Sequence, residues 1–177
     1  DFCLSRGLGD VYKRQEYDLV LSDLNAKAII TESDEDSPVI SAAEKHGIRI
    51  IGLSPLEKGS AGLFKLMVEE DYSQTEPVFA QPEDIALVLH TSGTTSRPKI
   101  VPLTHVNICT SANNVRKALE LTRDDRCLNI MPLFHIHGLI GVLLSSMSAG
   151  ASVVCTPGFS APKFFEWLAI FKPTWFS

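Results

Sequence analysis

Several common ways of holding or anchoring a small protein are missing from this chain. Cysteine is scarce: Cys3, Cys109, Cys127 and Cys155 lie far apart, with no C-x-x-C pair. That spacing excludes a zinc ribbon and a disulfide framework, and it suits reduced thiols acting as small buried hydrophobes. Basic charge is not in excess. Lys and Arg total 16 against 21 Asp and Glu, a net charge of −5 that gives nucleic acid no attractive field. No apolar run is long enough for a membrane span. The longest stretch without an ionised side chain, residues 127–162, is broken by Pro132, His135, His137 and several Ser and Gly, so it reads as a buried helix followed by a buried strand. Residues 1–15 carry Arg6, Lys13 and Arg14 but no apolar segment, so no targeting segment is read there. There is no internal repeat and no low-complexity tract. The chain does not open on Met, and residues 1–15 are read as a non-native stretch, set aside from the fold.

What is present is ordinary globular material. A chain of 177 residues that is 45% hydrophobic can bury one core. Helical spacing of Tyr17, Val20, Leu21 and Leu24 predicts a helix over 16–24, and a second over 37–46 ends at Gly47. Short apolar runs at 26–30, 48–53, 85–89, 128–131 and 152–155 read as buried strands. The Pro- and Gly-rich region 54–83 reads as a connection with one helix at 63–68. Thr104 is a candidate N-cap for a helix through Leu119, with His105 as a further capping residue. Helices are also expected at 139–146 and from near Pro162 to Phe171, and Thr174-Trp175-Phe176 opens a last strand. The alternation implies an α/β fold of parallel sheets flanked by helices with right-handed crossovers. Phe164, Trp167, Leu168 and Phe171 follow helical spacing, which favours core packing over a ligand-stacking surface.

One segment is not ordinary. After the strand at 85–89 comes His90-Thr91-Ser92-Gly93-Thr94-Thr95-Ser96-Arg97-Pro98-Lys99. Hydroxyls and bare backbone N–H groups donate to phosphate oxygens, Gly lets the backbone come close, and Lys and Arg neutralise charge. Gly93 and Lys99 have the spacing of a Walker loop. However, Pro98 replaces its second Gly, and Ile100 stands where that loop has its metal-binding hydroxyl. A plain polar turn uses the same residue types and is the competing reading. It leaves a run of small residues closing on Arg-Pro-Lys without a cause.

Residues 91–99 resemble the phosphate loop of the adenylate-forming (AMP-dependent synthetase and ligase) superfamily. That superfamily includes acyl-CoA synthetases, peptide-synthetase adenylation domains and beetle luciferases. Met131-Pro132-Leu133-Phe134-His135-Ile136-His137-Gly138 is similar to its Pro-x-Phe-His segment, and Gly150-Ala151 before a strand also fits. The family usually has Gly where Ser96 and Ile100 stand here. Ser96 is similar to a subgroup of oxalate–CoA ligases and peroxisomal-type CoA synthetases. A β-branched residue at position 100 would be strained if its φ were positive.

The resemblance covers about 16–177 and implies part of the large N-terminal AMP-binding domain. The adenine, ribose and C-terminal Lys segments of the family are not found, and the small C-terminal domain is expected to be absent. It implies an enzyme that joins a carboxylic acid, oxalate or another small acid, to AMP and then to CoA, with ATP, Mg2+ and CoA as cofactors. The chain by itself is expected to be inactive while its parent is active. Thr91, Ser92, Gly93, Thr94, Thr95 and Lys99 match the part that holds the β- and γ-phosphates. Lys99 and His135 are the expected catalytic groups, His135 lying near the α-phosphate and the acid carboxylate. His137 is expected to line the acid pocket. Were the segment extended, His135 and His137 would share a face, but two His are thin grounds for a metal site, and none is expected. The implied compartment is cytoplasmic, or peroxisomal in a eukaryote. Two alternatives stay open: an amino-acid adenylation domain that loads a carrier protein, and a nucleotide-binding module without catalysis.

Overall fold

The structure is a computed structural model and describes residues 14–32, 37–56, 58, 62–68, 76, 78–91 and 99–177. The chain folds as two compact units, Asp1–Phe79 and Ala80–Ser177, rather than around the one core its length suggested.

In the first unit, helix α1 (Arg14–Asp23), strand β1 (Ala28–Glu32), helix α2 (Pro38–Lys45) and strand β2 (Arg49–Pro55) follow the expected order. The helix begins two residues ahead of the expected boundary at 16. β1 and β2 are parallel, from Ala28 opposite Arg49 to Glu32 opposite Leu53. Tyr17, Leu21, Ile29, Val39, Ala42 and Ala43 form the core between helices and sheet. Asp18 joins the two helices, accepting from Lys45 Nζ at 2.7 Å and lying 3.1 Å from His46 Nε2.

The helix expected at 63–68 is instead strand β3 (Phe64–Met67), antiparallel to β2 from Gly52 opposite Met67 to Pro55 opposite Phe64. A six-residue helix would be marginal on its own. All four strand residues are exposed, so there is no buried face for a helical stripe to match. The free edge of β2 offers backbone pairing, and pairing wins.

The second unit starts with β4 (Ile85–Thr91) and β5 (Lys99–Thr104), an antiparallel pair with an irregularity between Ile85 and Leu87. β5 was not foreseen. Pro102 argues against a strand, yet it is tolerated here because β5 is an edge of a two-stranded sheet. Helix α3 (His105–Ala118) packs on both strands. Thr104 caps it as expected: its Oγ accepts from Asn107 N at 3.2 Å, and its own N–H donates to Asn107 Oδ1 at 3.0 Å. Among the described residues, His105 makes no side-chain capping bond. It contributes its backbone N–H to the Asp84 carbonyl at 3.1 Å.

β6 (Arg126–Asn129) is the centre of a parallel sheet ordered β7-β6-β8, with β7 (Ser152–Cys155) and β8 (Trp175–Phe176) on either side. Between β6 and β7 lie a π-helical segment (His137–Leu144) and α4 (Ser145–Ala149), and α5 (Ala161–Phe171) precedes β8. The expected 139–146 helix thus starts earlier and is wider than an α-helix. Buried hydroxyls accommodate the change of pitch. Ser145 Oγ donates to the Gly141 carbonyl at 2.6 Å, and Ser146 Oγ to Val142 at 2.7 Å. Gly150 ends α4 at φ +71, a conformation that favours glycine. The sheets are therefore parallel where helices intervene and antiparallel at β2–β3 and β4–β5.

A polar cluster ties the start of β6 to β8 and α5. Asp125 accepts from Thr122 N at 2.8 Å and from Thr174 Oγ1 at 2.8 Å, while Arg126 Nη1 reaches the Phe171 carbonyl at 2.8 Å. The Thr122 backbone bond, then the two threonine hydroxyls, hold the Asp125 carboxyl below its ordinary 3.8. A lowered folded-state pKa stabilises above the ordinary value, and that contribution is lost as pH falls below it. Asp125→Asn should therefore flatten the acid limb of thermal stability between about pH 5 and pH 2. An acid limb identical to that of the unsubstituted protein would show that the carboxylate is not held in this way. In the same sheet, burial pushes the fully enclosed Cys127 thiol up to about 12, with Cys155 adding to the effect. Cys109, Cys127 and Cys155 are free thiols.

Candidate active site

Both sequence signals fall in the second unit. β4 and β5 pair down to Thr91 opposite Lys99, so the residues that open and close the predicted phosphate loop face one another across the ribbon. The loop proper, with Ser92, Gly93, Thr94, Thr95, Ser96 and Arg97, lies outside the described residues, as does the Thr91 side chain. Lys99 is exposed at the first position of β5. Ile100 is a strand residue opposite His90, and its φ is not positive. The strain that a β-branched residue would suffer in the left-handed region therefore does not arise. His90 is a feature that sequence reasoning passed over: its Nε2 is buried without a partner among the described residues.

The second signal begins where β6 ends. In open α/β sheets, ligands bind beyond the carboxyl ends of parallel strands, and residues 130–136 occupy that position above the central strand. The segment is a turn, not the extended stretch that would put both His rings on one face. His135 N donates to the Pro132 carbonyl at 3.1 Å, and Ile136 has helical dihedrals, φ −53 and ψ −34. His137 then starts the π-helical segment. π-helical geometry of this kind is frequent at functional sites.

The two His are joined through backbone. His137 N donates to His135 Nδ1 at 3.2 Å. Because a backbone N–H can only donate, Nδ1 is an acceptor, and the proton of the neutral ring sits on Nε2. The ring has no other polar partner among the described residues, and His135 is exposed. It therefore presents an Nε2–H donor, the group an anion would take. His137 differs: its Nε2 hydrogen-bonds Ser177 Oγ at the end of β8. Gly138 explains the tightness of the turn. A Cβ there would lie 2.5 Å from the Pro132 carbonyl oxygen and 3.0 Å from that of Met131. Helix α3 packs against both the hairpin and the π-helical segment, so one scaffold element carries both signals. The donors suit the phosphates of a nucleotide. Among the described residues no three His, Cys, Asp or Glu converge on a cation.

Residues 7–177 match the family of AMP-binding enzymes. The chain belongs to that family. Among its relatives, an oxalate–CoA ligase of Saccharomyces cerevisiae is 37% identical over 188 residues, covering 94% of this chain and 35% of that protein. An oxalate–CoA ligase of Arabidopsis thaliana is 38% identical over 174 residues, covering 96% of this chain and 34% of that one. The crystal structure of ATP-bound MatB from Rhodopseudomonas palustris superposes with a TM-score of 0.71 at 26% identity, over 90% of this chain and 31% of MatB. The chain thus spans about a third of the length of the curated relatives it matches. The AMP-binding family's α/β fold is the one its phosphate-loop signature led us to expect. Among the described residues no helix is long and apolar enough to cross a membrane.

Proposed function

We propose that this AMP-binding chain is the phosphate-loop part of an ATP-dependent acid–CoA ligase whose acid is small, oxalate being the leading candidate. The observation that carries the reading is the similarity to two oxalate–CoA ligases over 94% and 96% of the chain, a span that includes both the loop and the His135 segment. Thr91, Ser92, Gly93, Thr94 and Thr95 would hold the β- and γ-phosphates, with Lys99 as a compact positive charge beside them. His135 Nε2–H would donate to the α-phosphate or to the attacking carboxylate. His137, braced by Ser177, would line the acid pocket. On this reading the hairpin and turn would fix donors before charge develops on the phosphoryl group, which is where such a reaction gains most. Mg2+ fits as an ion brought by the nucleotide, since such sites use substrate phosphates in place of an all-protein cage; when bound it would neutralise phosphate charge. Free thiols suit a reducing compartment, cytoplasmic or peroxisomal.

The test is acid-dependent ATP–pyrophosphate exchange by the full-length protein that carries this segment, with oxalate, malonate, aromatic acids and amino acids. Exchange with oxalate, followed by CoA thioester formation, is expected. Exchange confined to amino acids would instead make it a carrier-loading adenylation domain. ATP binding without exchange on any acid would make it a nucleotide-binding module.

A further inference from the structure

Asn129 ends β6 and is 1% exposed, one of few polar side chains so fully enclosed among the described residues. A carboxamide out of water is unfavourable unless hydrogen-bonded, and an aliphatic residue would serve the sheet alone better. Here the bonds lead to the turn that carries His135. Asn129 Oδ1 accepts from Met131 N at 3.0 Å, and because the partner is a backbone donor, the orientation of the amide is fixed. The Asn129 carbonyl accepts from Thr156 N at 3.2 Å and Thr156 Oγ1 at 3.0 Å, which pins the strand end to the segment after β7. Pro132, the next residue of the turn, accepts from His135 N, and the turn is tight enough that a Cβ at Gly138 would lie 2.5 Å from the Pro132 carbonyl oxygen. The His137 N–H that sets the His135 tautomer comes from the same turn.

We propose that Asn129 is a positioning residue for His135: its carboxamide holds the Met131–Pro132 turn in the one form that keeps the His135 proton on Nε2 and aims it outward. The purpose of that donor rests on the proposed ligase reaction, but the positioning itself does not. Without the Asn129 bond, Met131 and Pro132 can relax, His137 N moves off Nδ1, and the ring is free to carry its proton on either nitrogen.

The experiment uses the full-length protein with 15N-labelled histidine, the His135 ring signals being assigned by their loss in His135→Gln. The unsubstituted protein should show one neutral tautomer, protonated at Nε2. Asn129→Ala should give mixed tautomers and at least a tenfold lower kcat for acid-dependent exchange, with the KM for ATP little changed. Thr156→Val, which nearly keeps volume and removes the hydroxyl shared by the Asn129 and Gly158 carbonyls, should move both readouts the same way by less, and it carries the test if Asn129→Ala does not fold. Arg126→Ala, at the opposite end of β6, should lower thermal stability yet leave a single tautomer. A folded Asn129→Ala that keeps a single Nε2–H tautomer would overturn the proposal. So would a loss of tautomer order in Arg126→Ala equal to that in Asn129→Ala, which would show a general loosening. Tautomer changes as expected in a protein that exchanges with no acid would sustain the positioning role and sink the ligase reading instead.

Discussion

Lys99→Ala in the full-length protein is expected to lower acid-dependent pyrophosphate exchange by about 10²–10³-fold, the usual cost of removing one fixed donor from a site where negative charge builds. Stability should change by less than about 0.5 kcal/mol, because an exposed residue away from core, cap or strain carries little of the fold. Both halves follow from position. Lys99 is the first residue of β5, opposite Thr91, so its backbone is held by the ribbon while its side chain is in the open. Lys99→Arg keeps the charge but spreads it over a planar fork, and a site that takes a point charge should recover only part of the loss. Full exchange in Lys99→Ala would put the side chain outside the phosphate site. A large drop in melting temperature would mean that it braces the hairpin, not the nucleotide.

The fold was legible wherever a local rule and the tertiary contacts agree. The helices at 37–46 and 105–119 carry their own punctuation in Gly47 and Thr104, and both formed with those residues at their ends. The short apolar runs became β1, β2, β4, β6 and β7. Failures came where pairing overrode local pattern. Residues 63–68 are apolar enough for either period, and the free edge of β2 decided for a strand. Residues 100–103, between the phosphate-loop signature and the Thr104 cap, carried no expected element; Pro102 interrupts their apolar pattern, but an edge strand tolerates it. The π-helical pitch at His137–Leu144 has no signature in spacing, since its carbonyls are partly satisfied by Ser145 and Ser146 hydroxyls from farther along the chain. For the candidate site, the family resemblance singled out the His135 segment, and residue types alone make it no more than a candidate. They were not enough to separate the two His, since the difference lies in what each ring nitrogen meets: a backbone N–H at His135 and the Ser177 hydroxyl at His137. Asn129 gave no signal at all: it lies within the apolar run 128–131 that reads as a strand, and spacing does not show that the strand ends at this residue.

Among the described glycines of the second unit, Gly138 should be the one where a single added methyl, as in Gly138→Ala, does most damage. Its Cβ would lie 2.5 Å from the Pro132 carbonyl oxygen, a backbone atom that cannot swing aside as a side-chain end would. To admit it, the turn must open, which costs about 1–3 kcal/mol by the measure of overpacked cores. The loss of activity should be larger than that suggests. Pro132 is the acceptor for His135 N, so opening the turn moves the ring, and a displacement of about 1 Å of a positioned group costs roughly 10² in rate. Gly141 provides the contrast within the same helical segment. A Cβ at Gly141 meets nothing within 4 Å, and Ala is favoured over Gly inside a helix by up to about 1 kcal/mol. Gly141→Ala should therefore leave exchange intact and hold or raise the melting temperature. The pair separates two causes that a lone glycine substitution would confuse. If the rate depends on the turn, only the Gly138 variant loses exchange. If it depends on general suppleness of the π-helical segment, both variants lose it, and the geometry around Pro132 is not what places His135.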